Sequence, residues 1–143
     1  MEEALEALGF VRYRDVGPEV ADTFRSRTGL PLPPDYLAFL AYRQPPVMPL
    51  LYRFERAGEE WEGCVDEFGH IAPHADGLAD LAGQVVRTPT GSPLLPVGGD
   101  PGGNWLCLDL TCGMVVDLDY GSGAMAPVAP DFASFVRRLR PEE

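Results

Sequence analysis

The chain has 143 residues, 45% of them hydrophobic, with 22 acids against 11 bases and a formal net charge of -11. That length suits one core in one domain, residues 1–143. A single-sign acidic field repels phosphate backbones and speaks against a nucleic-acid partner, and no apolar run approaches the length that spans a bilayer.

The charge is uneven. All the bases are arginine, and from Gly58 to Val136 twelve acids face one base, Arg87. The rest of the chain is balanced. Such a field favours a basic partner, or solubility alone. The three cysteines, Cys64, Cys107 and Cys112, form no CxxC pair, so neither a disulfide framework nor a structural zinc site is expected. The start, "MEEALEALGF", is acidic and does not read as a signal peptide; a cytoplasmic home is expected.

Taken in order, "EEALEALGF" predicts a short helix ended by Gly9. A second helix runs from Pro18, in its first turn, to Gly29. "LPLPPDYLAFLAYRQPP" predicts a third, started by Pro33 and Pro34, with Tyr36, Leu37, Phe39 and Leu40 on its apolar side and Pro45 and Pro46 at its end. "MPLLYRFE" and "EWEGCVDEFG" read as strands about Ala57-Gly58. "ADGLADLAGQ" suggests helical turns, and "SPLLPVGGD" a short strand. "NWLCLDL" alternates, with Leu106, Leu108 and Leu110 on one face and Trp105, Cys107 and Asp109 on the other. After a turn at "TCG", "MVVDLDY" returns as its hairpin partner, and "MAPVA" is one more short strand. Phe132, Phe135, Val136 and Leu139, at i, i+3, i+4 and i+7, predict a closing amphipathic helix. No repeat or linker interrupts the chain. The order of elements implies an α+β fold with a mainly antiparallel sheet, N-terminal helices and a closing C-terminal helix.

The run "GGDPGGNWLCLDL", Gly98 to Leu110, has the look of a ligand loop. A P-loop requires a lysine and a following helix, and a dinucleotide fingerprint also requires the helix; this loop has neither. For calcium, Asp100, Asn104 and Asp109 leave too few oxygen ligands, even if Asp117 and Asp119 approach across the hairpin. Zinc at Cys64, His70 and His74 lacks a fourth ligand, and Pro73 opposes a helix between the histidines. Ser92, Ser122, Ser134 and the cysteines sit in no nucleophile motif. No cofactor or metal is expected. The loop reads as a turn: Gly98 and Gly99 permit positive φ, Asp100 bonds the backbone beyond it, and Gly103 relieves crowding before the strand.

Three segments together carry a resemblance. "LPLPPDYLAFLAY", "LLPVGGDPGGNWLCLDL" and "GMVVDLDYGSGAMAPVAPDFASFVRRL" resemble, in the right order over about residues 17 to 140, the opening helix, glycine-rich segment and closing pattern of the SUKH superfamily. That superfamily holds fungal cell-wall-assembly-regulator (Smi/Knr-like) domains and many bacterial immunity proteins. The chain departs from its pattern at Arg43, Gln44, Pro45 and Pro46, where an Asn-Gly-Gly turn is usual, and at Asp119-Tyr120, where many members carry His-Glu. The resemblance implies an α+β protein-recognition domain rather than an enzyme, with a cognate toxin as partner; the acidic second half fits a toxin of basic surface, such as a nuclease, because opposite fields speed encounter. Candidate contact residues are Asp100, Asn104, Trp105, Asp109, Asp117, Asp119 and Tyr120; for the carboxylates the plain alternative is a solvated strand face, and for Trp105 core packing. Two other readings stay open: a metal-dependent or hydrolytic enzyme built on Asp109, Asp117 and Asp119, and a regulatory scaffold without a toxin. The oligomeric state is not legible.

Overall fold

A computed structural model describes residues 1–46, 48–73, 78, 80–88, 91–119 and 121–142. The chain opens with α1 (Glu2–Ala7), β1 (Val11–Arg12), α2 (Pro18–Thr28) and α3 (Pro34–Phe39). Strands β2 (Tyr42–Arg43), β3 (Leu50–Arg56), β4 (Glu59–Val65) and β5 (Glu67–Phe68) follow, then a 3₁₀ turn at Ala82–Gln84. The second half holds β6 (Val86–Arg87), β7 (Pro93–Gly99), β8 (Asn104–Asp109), β9 (Val115–Asp119), β10 (Met125–Ala129), α4 (Phe132–Arg138) and β11 (Arg140–Pro141). The expected α+β class holds.

Among the described residues every strand pair is antiparallel. The six-stranded sheet runs β10-β9-β8-β7-β5, with β6 on β7 beside β5; β11-β3-β4 form a three-stranded sheet, and β1 pairs β2. The helix boundaries follow local chemistry. Gly29, at φ +73°, caps α2 in the left-handed region that glycine enters without strain. Asp131 caps α4, its side chain accepting from the Ser134 N–H at 2.7 Å. Phe132, Phe135 and Val136 are fully buried on the α4 face that the spacing predicts. Asp35 ties α3 to α4: its Oδ2 accepts from the Ala133 N–H at 2.9 Å. Phe39 and Phe132 then meet edge to face at 4.7 Å.

Two boundaries differ from expectation. Helix α3 stops at Phe39 rather than before Pro45, because Tyr42 and Arg43 pair with Arg12 and Val11, an association with no local signal. The "EWEGCVDEFG" run is two strands. The chain leaves the small sheet at Asp66, and Glu67 and Phe68 then pair with Gly99 and Gly98 of the large one. Of the expected helical turns near "ADGLADLAGQ", only the 3₁₀ turn lies within the described residues; Ala75–Gly77 and Ala79 fall outside them.

The large sheet has two unlike faces. Leu95, Val97, Leu106, Leu108 and Val115 join the core with the helices. Leu94, Cys107 and Val116 form a separate small cluster on the other face, with Met114 and Leu118 against it. The alternation in "NWLCLDL" therefore puts Trp105, Cys107 and Asp109 opposite the main core, as read from the sequence.

Candidate functional site

The glycine-rich run divides into strand and turn. Gly98 and Gly99 are the last residues of β7 and neither has positive φ. Gly98 is there for room: a Cβ would stand 2.9 Å from Val65 Cγ2 and 3.0 Å from the Glu67 carbonyl oxygen. Gly103 is the residue in the left-handed region, at φ +92°, with open space about it, so conformation and not crowding demands glycine. Asp100 closes the turn as expected: its Oδ1 accepts from the Asn104 N–H at 3.1 Å, and its own N–H donates to the Asn104 carbonyl at 3.1 Å.

The expected contact residues do not form one group. Asn104 is opposite Asp119, at the end of the sheet where Asp100 and Trp105 also lie. Asp119 accepts from the Gly121 N–H at 3.0 Å, and that bond holds its carboxyl below the usual range. Asp109 sits at the far end of β8, about 17 Å away by strand rise. There it holds the next turn, accepting from the Thr111 N–H at 3.0 Å and hydroxyl at 2.6 Å. Asp117 departs from the solvated face expected of it. It is 1% exposed, with Oδ2 accepting from the Tyr52 hydroxyl at 2.9 Å and Oδ1 from Arg56 at 2.5 Å. Burial pushes its carboxyl up, against the pull of Tyr52 and Arg56. Tyr120 lies outside the described residues, as does His74. Trp105 is 42% exposed rather than packed into the core.

Asp109 thus stands apart from Asp117 and Asp119, which share a face of β9, and among the described residues no cluster of His, Cys, Asp or Glu is placed to hold a metal ion. Cys64 and His70 are not paired to each other: burial raises the Cys64 thiol, and His70 Nδ1 shares a 2.6 Å hydrogen bond with the Tyr36 hydroxyl.

What lies beside the loop is a groove of about 580 Å³. Pro96, Gly99, Trp105, His70 and Leu81 line it, together with four acidic residues, Asp66, Glu67, Asp80 and Asp100. Gly99, which lines it, pairs in register with Glu67 on one side and Trp105 on the other, so the three share a face. Among the described residues the groove's lining contains no arginine; Arg27 reaches Asp80 from α2 at 3.8 Å. His70 adds no positive charge at neutral pH, because burial and then Arg14 push its pKa down to about 4. The chemistry on offer is cation recognition beside an indole face. Nothing local in the sequence brings Asp66, Glu67, Asp80 and Leu81 together, since the groove joins segments far apart in the chain; His70 enters the sequence only as a zinc candidate, and the Gly-Gly pair ending an apolar strand is the one local sign.

A family model described as SMI1 / KNR4 family (SUKH-1) matches residues 18–138. No curated protein matches the chain, and no solved structure does.

Proposed function

The chain belongs to the SMI1 / KNR4 family (SUKH-1), and from that premise we propose that it is a non-catalytic protein-binding domain: an immunity protein that binds and neutralises a cognate bacterial toxin with a basic surface. The observation that carries the reading is the groove, whose lining holds Asp66, Glu67, Asp80 and Asp100 together with Trp105. Carboxylates at the border of an aromatic anchor are what a cationic partner needs for fast encounter and a firm hold. The contact residues proposed are Asp100, Asn104, Trp105 and Asp119 at this end of the sheet, with Asp66 and Asp80 added.

The wide separation of Asp109 from Asp119, and the engagement of Asp117 by Tyr52 and Arg56, favour binding over hydrolysis. A cytoplasmic location belongs to the same proposal and is supported by three cysteines that are all free thiols. No helix among the described residues is long and apolar enough to cross a membrane.

The test is co-purification with the product of the adjacent gene, followed by rescue of cells expressing that product. A stable complex with rescue is the expected result. No complex, together with thermal stabilisation by a divalent ion, points instead to a metal-dependent enzyme.

A further inference from the structure

We propose that the outer face of the six-stranded sheet, centred on Trp105, Leu118 and Met125, docks a partner protein that presents an apolar patch bordered by arginine or lysine. The inference rests on the protein-binding reading and names the surface and the chemistry of what covers it.

Register fixes the face. One rank across the strands is Glu67, Gly99, Trp105, Leu118 and Met125. The next is Pro96, Cys107, Val116 and Pro127, and a third is Val86, Leu94 and Asp109. Directly opposed residues in antiparallel strands share a face, so these side chains stand together. Most of them are apolar or sulfur-bearing and three large ones lie open to solvent: Val86 at 45%, Trp105 at 42% and Met125 at 39%. Among the described residues no helix contributes to the small cluster beneath them. A half-buried sheet face in an antiparallel protein is normally polar outside. A contiguous apolar one marks a place where something binds.

Charge decides the occupant. The acids of this face are Glu67 in the first rank and Asp109 in the third, and at the Trp105 corner the face runs into the groove with Asp66, Asp80 and Asp100. A second copy of this chain would bring the same acids and a second net charge of -11, and like charges brought together oppose the contact. A basic partner meets both demands, with apolar centre on apolar centre and cations on the acidic border. Trp105 belongs to both regions and is the natural anchor.

The test uses the isotopically labelled full chain and short peptides of defined pattern. A peptide alternating leucine and arginine should shift the Trp105 indole N–H and the Leu118 and Met125 amides, with saturation. A leucine–glutamate peptide should not, and a serine–arginine peptide should bind about tenfold more weakly or less. Trp105→Ala and Met125→Glu should each weaken the leucine–arginine peptide by about tenfold. Trp61→Ala, at a tryptophan 47% exposed on the small sheet, should leave it unchanged. All three positions are exposed, and an unaltered melting point for each variant separates binding from folding. Absent shifts, shifts centred on Trp61 or spread over the acidic half, or equal binding of the serine–arginine peptide overturn the proposal. So does a dimer in sedimentation that Met125→Glu dissolves. If instead the peptide behaves as expected but the adjacent gene product does not bind, the immunity reading falls and the docking face stands.

Discussion

Arg56 of β3 donates through Nη2 to Oδ1 of Asp117 on β9, at 2.5 Å, and so fastens the small sheet to the large one. The Tyr52 hydroxyl takes the other carboxylate oxygen, and Arg56 also lies over the Phe54 ring at 5.3 Å. The pair is costly to bury, and among the described residues Arg56 Nε has no hydrogen-bond partner. Removing one member leaves the other charge stranded. Asp117→Ala should therefore destabilise the fold by about 3 kcal/mol. Arg56→Leu combined with Asp117→Leu should recover part of that, since an apolar pair strands no charge and only the buried Tyr52 hydroxyl loses its acceptor. Urea unfolding of the singles and the double measures the coupling; additive effects would mean that the pair does not act as a unit.

Phe135 is fully buried and touches Tyr52 at 5.4 Å and Phe132 at 5.8 Å between ring centroids. It is the point where α4 meets the small sheet. Phe135→Ala should cost about 3–5 kcal/mol, the range for emptying an aromatic site in a packed core. A loss below about 1 kcal/mol in a chemical melt would mean that the site collapses without penalty.

How far the sequence carries depends on range. Helices α2 and α4 and the β8–β9 hairpin are written in neighbouring residues: Pro18 and Gly29 bracket one, Asp131 caps another, and alternation fixes the third. Strands β1 and β2 are two residues each and exist only through each other, so nothing local announces them. The site shows the same limit. Asp100 could be recognised as a turn-holder from its own loop. The burial of Asp117 depends on Tyr52 and Arg56, more than sixty positions away, and a carboxylate in an alternating strand looks solvated until its partners are known.

Gly103 and Gly98 should fail for different reasons. Gly103→Val places a β-branched residue at φ +92°, a strain of about 1–2 kcal/mol or more with no clash. Gly98→Val drives its side chain into Val65 and the Glu67 backbone and should be the worse of the two, since β5 must move off β7. Gly98→Ala should already be destabilising by urea melt, while Gly102→Ala should be mild; equal effects would remove the steric argument.

His70 gives the fold a pH dependence of definite sign. Its pKa falls from 6.5 to about 4 on folding, so at neutral pH it is uncharged in both states and costs nothing. As pH drops below the unfolded value, the unfolded chain takes a proton that the folded chain refuses, and stability is lost until pH passes the folded value. Between pH 7 and about pH 5 the loss should be about 2 kcal/mol. His70→Gln keeps a polar partner for Tyr36 and removes the titration, so its urea midpoint should be flatter over that window. An equal slope in wild type and variant would assign the pH dependence elsewhere.

The acidic groove should steer the partner and Trp105 should hold it, and kinetics separates the two. Exposed charges act over a Debye length of about 8–10 Å at moderate salt and are screened beyond it, so they govern encounter; a desolvated aromatic contact governs escape. Asp66→Asn with Asp100→Asn removes two charges from the groove. The amide oxygen that Asp100→Asn introduces can still accept from the Asn104 N–H, so the turn should survive, and an unchanged melting point would confirm it. Against the adjacent gene product, the double variant should lower the association rate by several-fold at low salt and flatten its decline as salt rises, with little change in dissociation. Trp105→Ala should do the reverse, raising the dissociation rate by about tenfold or more with the salt dependence intact. Asp117 is left untouched here, because its loss would weaken the fold and mimic a binding defect. An association rate that ignores salt and survives the double change would confine the charge of the second half to solubility, and a Trp105→Ala complex as long-lived as the parent would move the anchor off this end of the sheet.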